Sequence, residues 1–501
     1  MRPEDRPNNQ KVSRREALKV LGVAGAAAAA PRNLRSSSTA AGIAADVVVI
    51  GAGFAGMIAA RDLLRAGKKV AVLEARDRIG GRVKAGMIAG RKVDLGGMWV
   101  GPTQTRLLEL IKEFGLHTIP QFEDGRDMAN LNGKRTTGER DDPGLDAETQ
   151  AEYEVVVGEL NRLTAQVQLE SPWTTPRAEE FDAITAQQWF DAKTQNRTLR
   201  SLFQLTTRTD FTADLSQMSF LYFLFYLRSA DNYATLNGLE NAAQAFVVKE
   251  TLHELAARVA EQLGKSIVLD APVRNITRDA SGVTVSSEKG IWRANYAVVA
   301  IPLSLSVRIE YHPPLPPKRD LLAQHMPMGS VIKCWVAYER PFWREKGLNG
   351  LAWSDLPPVD AFIDSTPPEG HPGLLVGFID AGNALKWTGR RIEERRQAVV
   401  NQLVTFFGLD AEHPIDYEDQ DWPSDPWSRG CFSVTMGPGV MTSLGPAIRQ
   451  PHGRIHWAGT ETASKWMGYV DGAIRSGERA AEEVLVKYKS LLSKLGCERR
   501  G

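Results

Sequence analysis

Cysteine is scarce. Cys334, Cys431 and Cys497 are the only three among 501 residues. Three widely spaced thiols cannot build a disulfide framework, and their spacing fits no zinc site; nothing else in the sequence calls for a metal. Neither sign of charge dominates: 61 Lys+Arg against 60 Asp+Glu leave a formal charge of +1, so the basic footprint of a nucleic-acid-binding protein is missing. Long apolar runs are missing too. Residues 20–30 and 220–227 both fall short of the roughly 20 residues that a membrane span requires, and Arg228 closes the second. What remains is an ordinary globular composition, 43% hydrophobic and 24% charged, which excludes a fibre or a disordered chain. Length alone suggests about three modules of roughly 150 residues, unless two interleaved domains share a large cofactor.

Residues 1–45 read as an address segment outside the fold. Ser13-Arg14-Arg15-Glu16-Ala17-Leu18-Lys19 places paired arginines before a short Ala/Gly-rich stretch that Pro31 breaks. This resembles a twin-arginine export signal, although Ala17 stands where a bulky apolar residue is usual and several Ala-x-Ala sites leave the cleavage point open. A disordered basic tail is the alternative. The export reading implies a periplasmic or secreted protein that crosses the membrane already folded around its cofactor. Residues 487–501 read as a polar tail with no apolar anchor, so the mature chain is expected to be soluble; self-association into a homodimer is left open.

The mature chain opens on a nucleotide-binding pattern. Asp46-Val47-Val48-Val49-Ile50 is a short buried strand. Gly51-Ala52-Gly53-Phe54-Ala55-Gly56 follows and runs into a helix, and the next strand ends at Glu74. Gly51 permits the tight turn, Gly53 lets backbone approach a pyrophosphate, and Gly56 lets helix pack on strand. The helix N-terminus attracts phosphate, while Glu74, about 20 residues on, accepts ribose hydroxyls. Beyond Glu74, Ala75-Arg76 and the Gly80-Gly81-Arg82 turn are placed to meet the second phosphate of an extended FAD. Near the far end, Ala458-Gly459-Thr460-Glu461 and Gly468-Tyr469-Val470 lead into another helix whose N-terminus faces a phosphate or a flavin ring. A site built from both chain ends implies one interrupted domain.

Together these segments resemble the flavin-containing amine oxidases, and among them the monoamine oxidases. The resemblance runs from Asp46 to about Tyr488. It includes Asp94-Leu95-Gly96-Gly97-Met98-Trp99, Ala271-Pro272-Val273-Arg274, Gly329-Ser330-Val331-Ile332-Lys333-Cys334 and Ser428-Arg429-Gly430-Cys431-Phe432, in family order. It implies an α/β fold in which an FAD-binding Rossmann-like (GR2-type) domain is interrupted by an α+β substrate-binding domain. The expected FAD segments are 46–115, 264–309 and 422–486, and the substrate segments 116–263 and 310–421. The resemblance also assigns roles. Lys333 holds a water beside flavin N5, and Cys431 is the cysteine that monoamine oxidases bond to the flavin 8α-methyl. Phe432 and Tyr469 are two facing aromatics around the amine. Gly96, Gly97, Met98, Trp99, Val273 and Trp422 lie along the cofactor, with Trp99 also near the substrate cavity.

Taken one by one, these residues carry less. Cys431 reads equally as an ordinary buried thiol, and Phe432 and Tyr469 as core aromatics. Lys333, in the apolar run 331–336, either snorkels to the surface or is buried for a purpose. The expected reaction is oxidation of a neutral primary or secondary amine by hydride transfer to FAD, giving an imine and then an aldehyde, with O₂ or another acceptor taking the electrons. Substrate choice is the weakest reading. Phe362 is expected at the cavity entrance. Whether Glu240 or Gln244 reaches the cavity is open, Glu240 being either a partner for a second substrate cation or a solvated helix-start acid. An L-amino-acid oxidase of the same fold needs an arginine for the substrate carboxylate, with Arg208 and Arg228 as candidates. An amine dehydrogenase and a non-catalytic flavin module complete the alternatives.

Overall fold

A computed structural model describes residues 42–139 and 144–498, with side chains through Lys489. Residues 1–41 of the expected export segment lie outside the described residues, as do residues 499–501; its last residues do not, because Ile43–Ala44 pairs as a parallel strand with Trp292–Arg293, so the fold begins before Asp46. At the centre is a five-stranded parallel sheet in the order Ile267–Val268, Val70–Leu73, Val47–Ile50, Tyr296–Val299 and Ile455–Trp457. Its strands are apolar on both faces because both faces are covered. Val47 and Val49 pack under the opening helix, Phe54–Arg65. Val48 and Ile50 point the other way, into a second sheet built from Val273–Arg278, Val283–Ser287 and Gly290–Ala294. A run with no visible alternation thus hides a strict period of two.

The helix Leu252–Leu263 buries Leu252, Leu255, Ala256 and Val259 in the same core as the opening helix, and the short strand Glu310–His312 pairs with Val273–Arg278. Both segments therefore sit with the nucleotide-side layers, although they fall inside stretches expected to belong to the insertion. The closing helix runs Val470–Glu498, well past residue 487 where a polar tail was expected. Its buried face continues at helical spacing through Ala480, Ala481, Val484 and Tyr488, which keeps it docked.

The inserted chain forms two further layers. One is a seven-stranded sheet, mostly antiparallel, in the order Asp416–Asp421, Val331–Tyr338, Gly373–Asp380, Ala361–Asp364, Leu348–Ser354, Arg126–Leu131 and Lys134–Glu139. One of its faces packs on the helix Ile392–Phe407 and the other lines a cavity. The second layer is helical. Its centre is Phe220–Ser229, apolar all round and capped by Ser219, wedged among Phe181, Trp189, Phe190 and Phe211. Each such aromatic contributes about 1.5–3 kcal/mol by burial. This is where the 220–227 run spends its hydrophobicity; no described helix is long and apolar enough to cross a membrane.

Candidate active site

One cavity of about 360 Å³ runs from the opening glycine loop to the face of the seven-stranded sheet. Its first wall is bare backbone. Gly51 has φ of +102°, and a Cβ there would stand 2.7 Å from the Ala300 carbonyl oxygen. A Cβ on Gly56 would stand 1.9 Å from the oxygen of Gly51, so helix and loop close only on glycine. Gly53 caps the opening helix, with Phe54 and Ala55 beside it on the cavity, and it faces Gly81 so closely that a Cβ there would come within 3.2 Å of the Gly53 Cα. Gly53 and Gly81 both line the cavity, and the lack of side chains there leaves the space that a pyrophosphate needs.

Glu74 ends the second strand and is buried. Its Oε2 accepts from the Ala52 N–H at 2.7 Å and its Oε1 from the Arg76 N–H at 2.9 Å. Each oxygen keeps a lone pair for a ribose hydroxyl. Ala75, Arg76 and Val273 line the same end. Arg76 donates to Asp425 at 2.9 Å and to Ser428 at 2.7 Å, which ties down a loop whose Pro426 and Trp427 also face the cavity. Sequence reading missed that loop; its lone signal was the run of turn residues before Cys431. Opposite, Gly459, Thr460, Gly468, Tyr469 and Val470 bring the start of the closing helix to the cavity, with the Thr460 hydroxyl donating to the Tyr469 carbonyl at 2.9 Å. Glu461 is not on the wall. It is buried behind it and holds Arg82 at 2.6 Å, while Arg82 also donates to the Phe432 carbonyl at 3.0 Å. The cradle, the two helix starts and Glu74 fit an extended dinucleotide.

At the other end the cavity becomes an apolar chamber. Lys333 is 2% exposed, so it is buried rather than snorkelling. Its Nζ donates to the Gly96 carbonyl at 2.8 Å and lies 5.4–5.6 Å from the ring centroids of Trp99, Trp335 and Phe378. Burial pushes its pKa well below the usual lysine range, with Asp94 pulling the other way. Two more side chains hold the same loop, the Trp335 Nε1 donating to the Asp94 carbonyl at 3.1 Å and the Trp422 Nε1 to Leu95 at 3.0 Å. Gly96, Gly97 and Met98 thereby form a fixed wall of the cavity. Cys431 lines it and is buried; burial pushes its thiol up to about 12, against the pull of Arg82 and Lys333. Phe432 packs with the sheet-side core and Tyr469 with the helical layer, and both line the chamber. They therefore reach it from different layers.

The chamber also sorts the substrate residues. Trp99 and Gln244 line it, and the Trp99 Nε1 donates to Gln121 at 3.0 Å. Glu240 is exposed and outside the lining. Phe362 is fully buried on the far face of its strand, against Phe406. Its neighbours Ala361 and Ile363 face the chamber instead, a one-residue alternation that the sequence did not reveal. Trp353 and Phe378 were missed for the same reason, and Phe378 is the register partner of Lys333. Neither Arg208 nor Arg228 lines the chamber. Asp210 and Thr209 do, and no local pattern marked them.

A dinucleotide cradle that opens onto an apolar chamber with a buried lysine defines a flavin-dependent oxidoreductase. The family described as flavin containing amine oxidoreductase matches residues 54–485, and the chain belongs to it. It is an FAD-dependent amine oxidoreductase. The chain is 39% identical over 439 residues to a Mycobacterium tuberculosis protein provisionally assigned as the flavin-containing monoamine oxidase AofH, covering 88% of this chain and 96% of that one. It is 36% identical to an L-amino acid dehydrogenase of Synechocystis, covering 88% and 94%. A solved structure of putrescine oxidase bound to putrescine superimposes with a TM-score of 0.85 at 32% identity, over 89% of this chain and 99% of that one.

Proposed function

We propose that this protein oxidises a primary or secondary amine to an imine, which water hydrolyses to an aldehyde, and that O₂ is the electron acceptor and becomes H₂O₂. The observation that carries the reading is the continuity of the cavity: the dinucleotide cradle opens without a break onto the chamber that Lys333, Phe432 and Tyr469 line. When bound, FAD supplies the hydride-accepting chemistry. The residues supply the rest. Phe432 and Tyr469 confine the amine, and the apolar wall of Trp353, Ile363 and Phe378 excludes water. That environment favours the neutral amine by desolvating its charged form. The test is anaerobic mixing of the holoenzyme with an amine panel. Amines should bleach the flavin absorbance, and air should restore it with release of peroxide; a flavin that no amine bleaches rejects the reading.

Oxidation of an L-amino acid fits less well. Its carboxylate needs a guanidinium clamp, yet the arginines on the cavity wall are Arg76, Arg82, Arg274 and Arg308. Arg76 and Arg82 are engaged by Asp425 and Glu461, and Arg274 by Glu288. The carboxylate would instead meet Asp210.

A thioether from Cys431 to the cofactor is part of the proposal. Cys431, on the cavity wall, would hold the cofactor through this bond; forming it would take one hydrogen from the thiol and one from the cofactor's ring methyl, with O₂ as the oxidant that accepts them and becomes H₂O₂. Acid precipitation of the wild type should leave the yellow colour in the pellet, and Cys431→Ala should release it to the supernatant. Wild-type flavin that is released freely excludes the bond.

Export before maturation is also proposed, on Arg14-Arg15 and the short apolar run after them. Cell fractionation should find the wild type outside the cytoplasm and Arg14→Lys/Arg15→Lys inside it. Wild type confined to the cytoplasm refutes the address.

A further inference from the structure

Most polar groups around the chamber already have partners. Lys333 is bound to Gly96, Arg82 to Glu461, and the Trp99 Nε1 to Gln121. Asp210 is different. It is the penultimate residue of the helix Arg197–Phe211, is 6% exposed and lines the chamber. Among the described residues its carboxylate has neither hydrogen bond nor ion pair; only its backbone carbonyl is used, accepting from the Tyr226 hydroxyl at 3.3 Å. Arg208, two residues earlier, is committed to Asp214 at 2.7 Å and lies 3.6 Å from Asp360. Among the described residues no cation is paired with Asp210, and burial raises its pKa.

The position is also well fixed. The next residue, Phe211, accepts from the Ser433 hydroxyl through its carbonyl, which ties this end of the helix to the segment carrying Phe432. Ser330 donates to the Thr212 carbonyl at 2.9 Å, linking the same turn to the strand of Lys333. Gln244 is also on the wall, and among the described residues its Oε1 is buried with no partner. An unpaired carboxylate inside an apolar chamber is costly to ionise until a cation arrives. The amine under oxidation is not that cation, because it reacts in its neutral form between Phe432 and Tyr469. The pairing nitrogen must be a different one.

We propose that Asp210 is a specificity-determining residue that pairs with a second cationic group on the substrate, and that the preferred substrates are aliphatic diamines. This rests on the amine-oxidising reading above. The test compares 1,4-diaminobutane and 1,5-diaminopentane with pentylamine and hexylamine, in which a methyl replaces the distal ammonium. Wild-type holoenzyme should favour the diamines. Asp210→Asn should lower kcat/KM for diamines by about 100-fold, the size expected when one side of a buried charge pair is removed. Most of that loss should lie in KM, and kcat/KM for the monoamines should change less than about threefold. Asp210→Glu should recover part of the preference.

Flavin content and visible spectrum of each variant report whether the fold is intact. Equal losses on both substrate series, or an unchanged ratio, overturn the proposal. If no amine bleaches the wild-type flavin, the amine-oxidising reading fails separately. Titration of the flavin spectrum with 1,4-diaminobutane then still decides whether Asp210 binds the cation: a perturbation lost in Asp210→Asn supports it, and no difference between the two overturns it.

Discussion

Replacing Lys333 with Met slows the return of oxidised flavin under O₂ by about 100-fold or more, while anaerobic reduction by amine changes less than about threefold. The magnitude is that of removing one preorganised polar group from a water-excluded site. The asymmetry follows from where Lys333 sits. Its ammonium is buried, anchored to the Gly96 carbonyl and surrounded by three aromatic rings. It is therefore placed to stabilise charge developing on a small acceptor, and it does not line the aromatic pair that confines the amine. Methionine preserves length and apolar packing, so the substitution tests the charge more than the volume. Stopped-flow traces of the two half-reactions measure each rate. Equal slowing of both would remove the role. A pH dependence follows with a definite sign. Burial favours the neutral form of Lys333, so a step that uses the ammonium should decline as pH rises, beginning below the range where an ordinary lysine deprotonates.

Arg82→Met is expected to cost about 3–5 kcal/mol of stability and most of the bound flavin. Arg82 is the partner of Glu461, a carboxylate 2% exposed behind the cavity wall, and removing one member of such a pair leaves a buried charge uncompensated. The same arginine holds the Phe432 carbonyl, so the aromatic pair loses its support as well. Urea denaturation and flavin content after gel filtration measure the two effects. The double variant Arg82→Met/Glu461→Gln should recover a large part of the stability, because the buried charge is then gone, but it should not recover the placement of Phe432. A single variant as stable as the wild type would refute the argument.

The parts of this site that were legible in the sequence are those whose chemistry is local. Gly56 is readable because the group that crowds it, the Gly51 oxygen, lies within six residues of chain, and Glu74 because its distance from the loop is set by one strand–helix–strand unit; Gly51 and Gly53 are read with the same motif, although Ala300 and Gly81, which they face, are distant in sequence. Lys333 was readable as an anomaly, a charge in an otherwise apolar strand. Phe362 shows where this fails: a four-residue strand buried on both faces does not say which face is which, and Ile363 lines the chamber in its stead. Asp210 was silent for another reason. Nothing about an aspartate near a helix end marks it as cavity-facing; its meaning depends on the aromatic layer above and the Lys333 strand beside it. The closing helix outran the expected tail because Tyr488 contributes a buried face that polar neighbours concealed.

Three consecutive carbonyls, those of Asp94, Leu95 and Gly96, are each held by a side chain from the seven-stranded sheet or its continuation: Trp335, Trp422 and Lys333. Asp94 in turn accepts from the Leu252 and His253 amides and so caps a helix of the nucleotide-side core. This makes the loop a mechanical splice between the two halves of the molecule. A ligand that grips the cradle must pull on the sheet as well, so cofactor binding should raise the unfolding temperature of the whole as one cooperative transition. The two halves should melt together, with no separate event for the substrate-binding half.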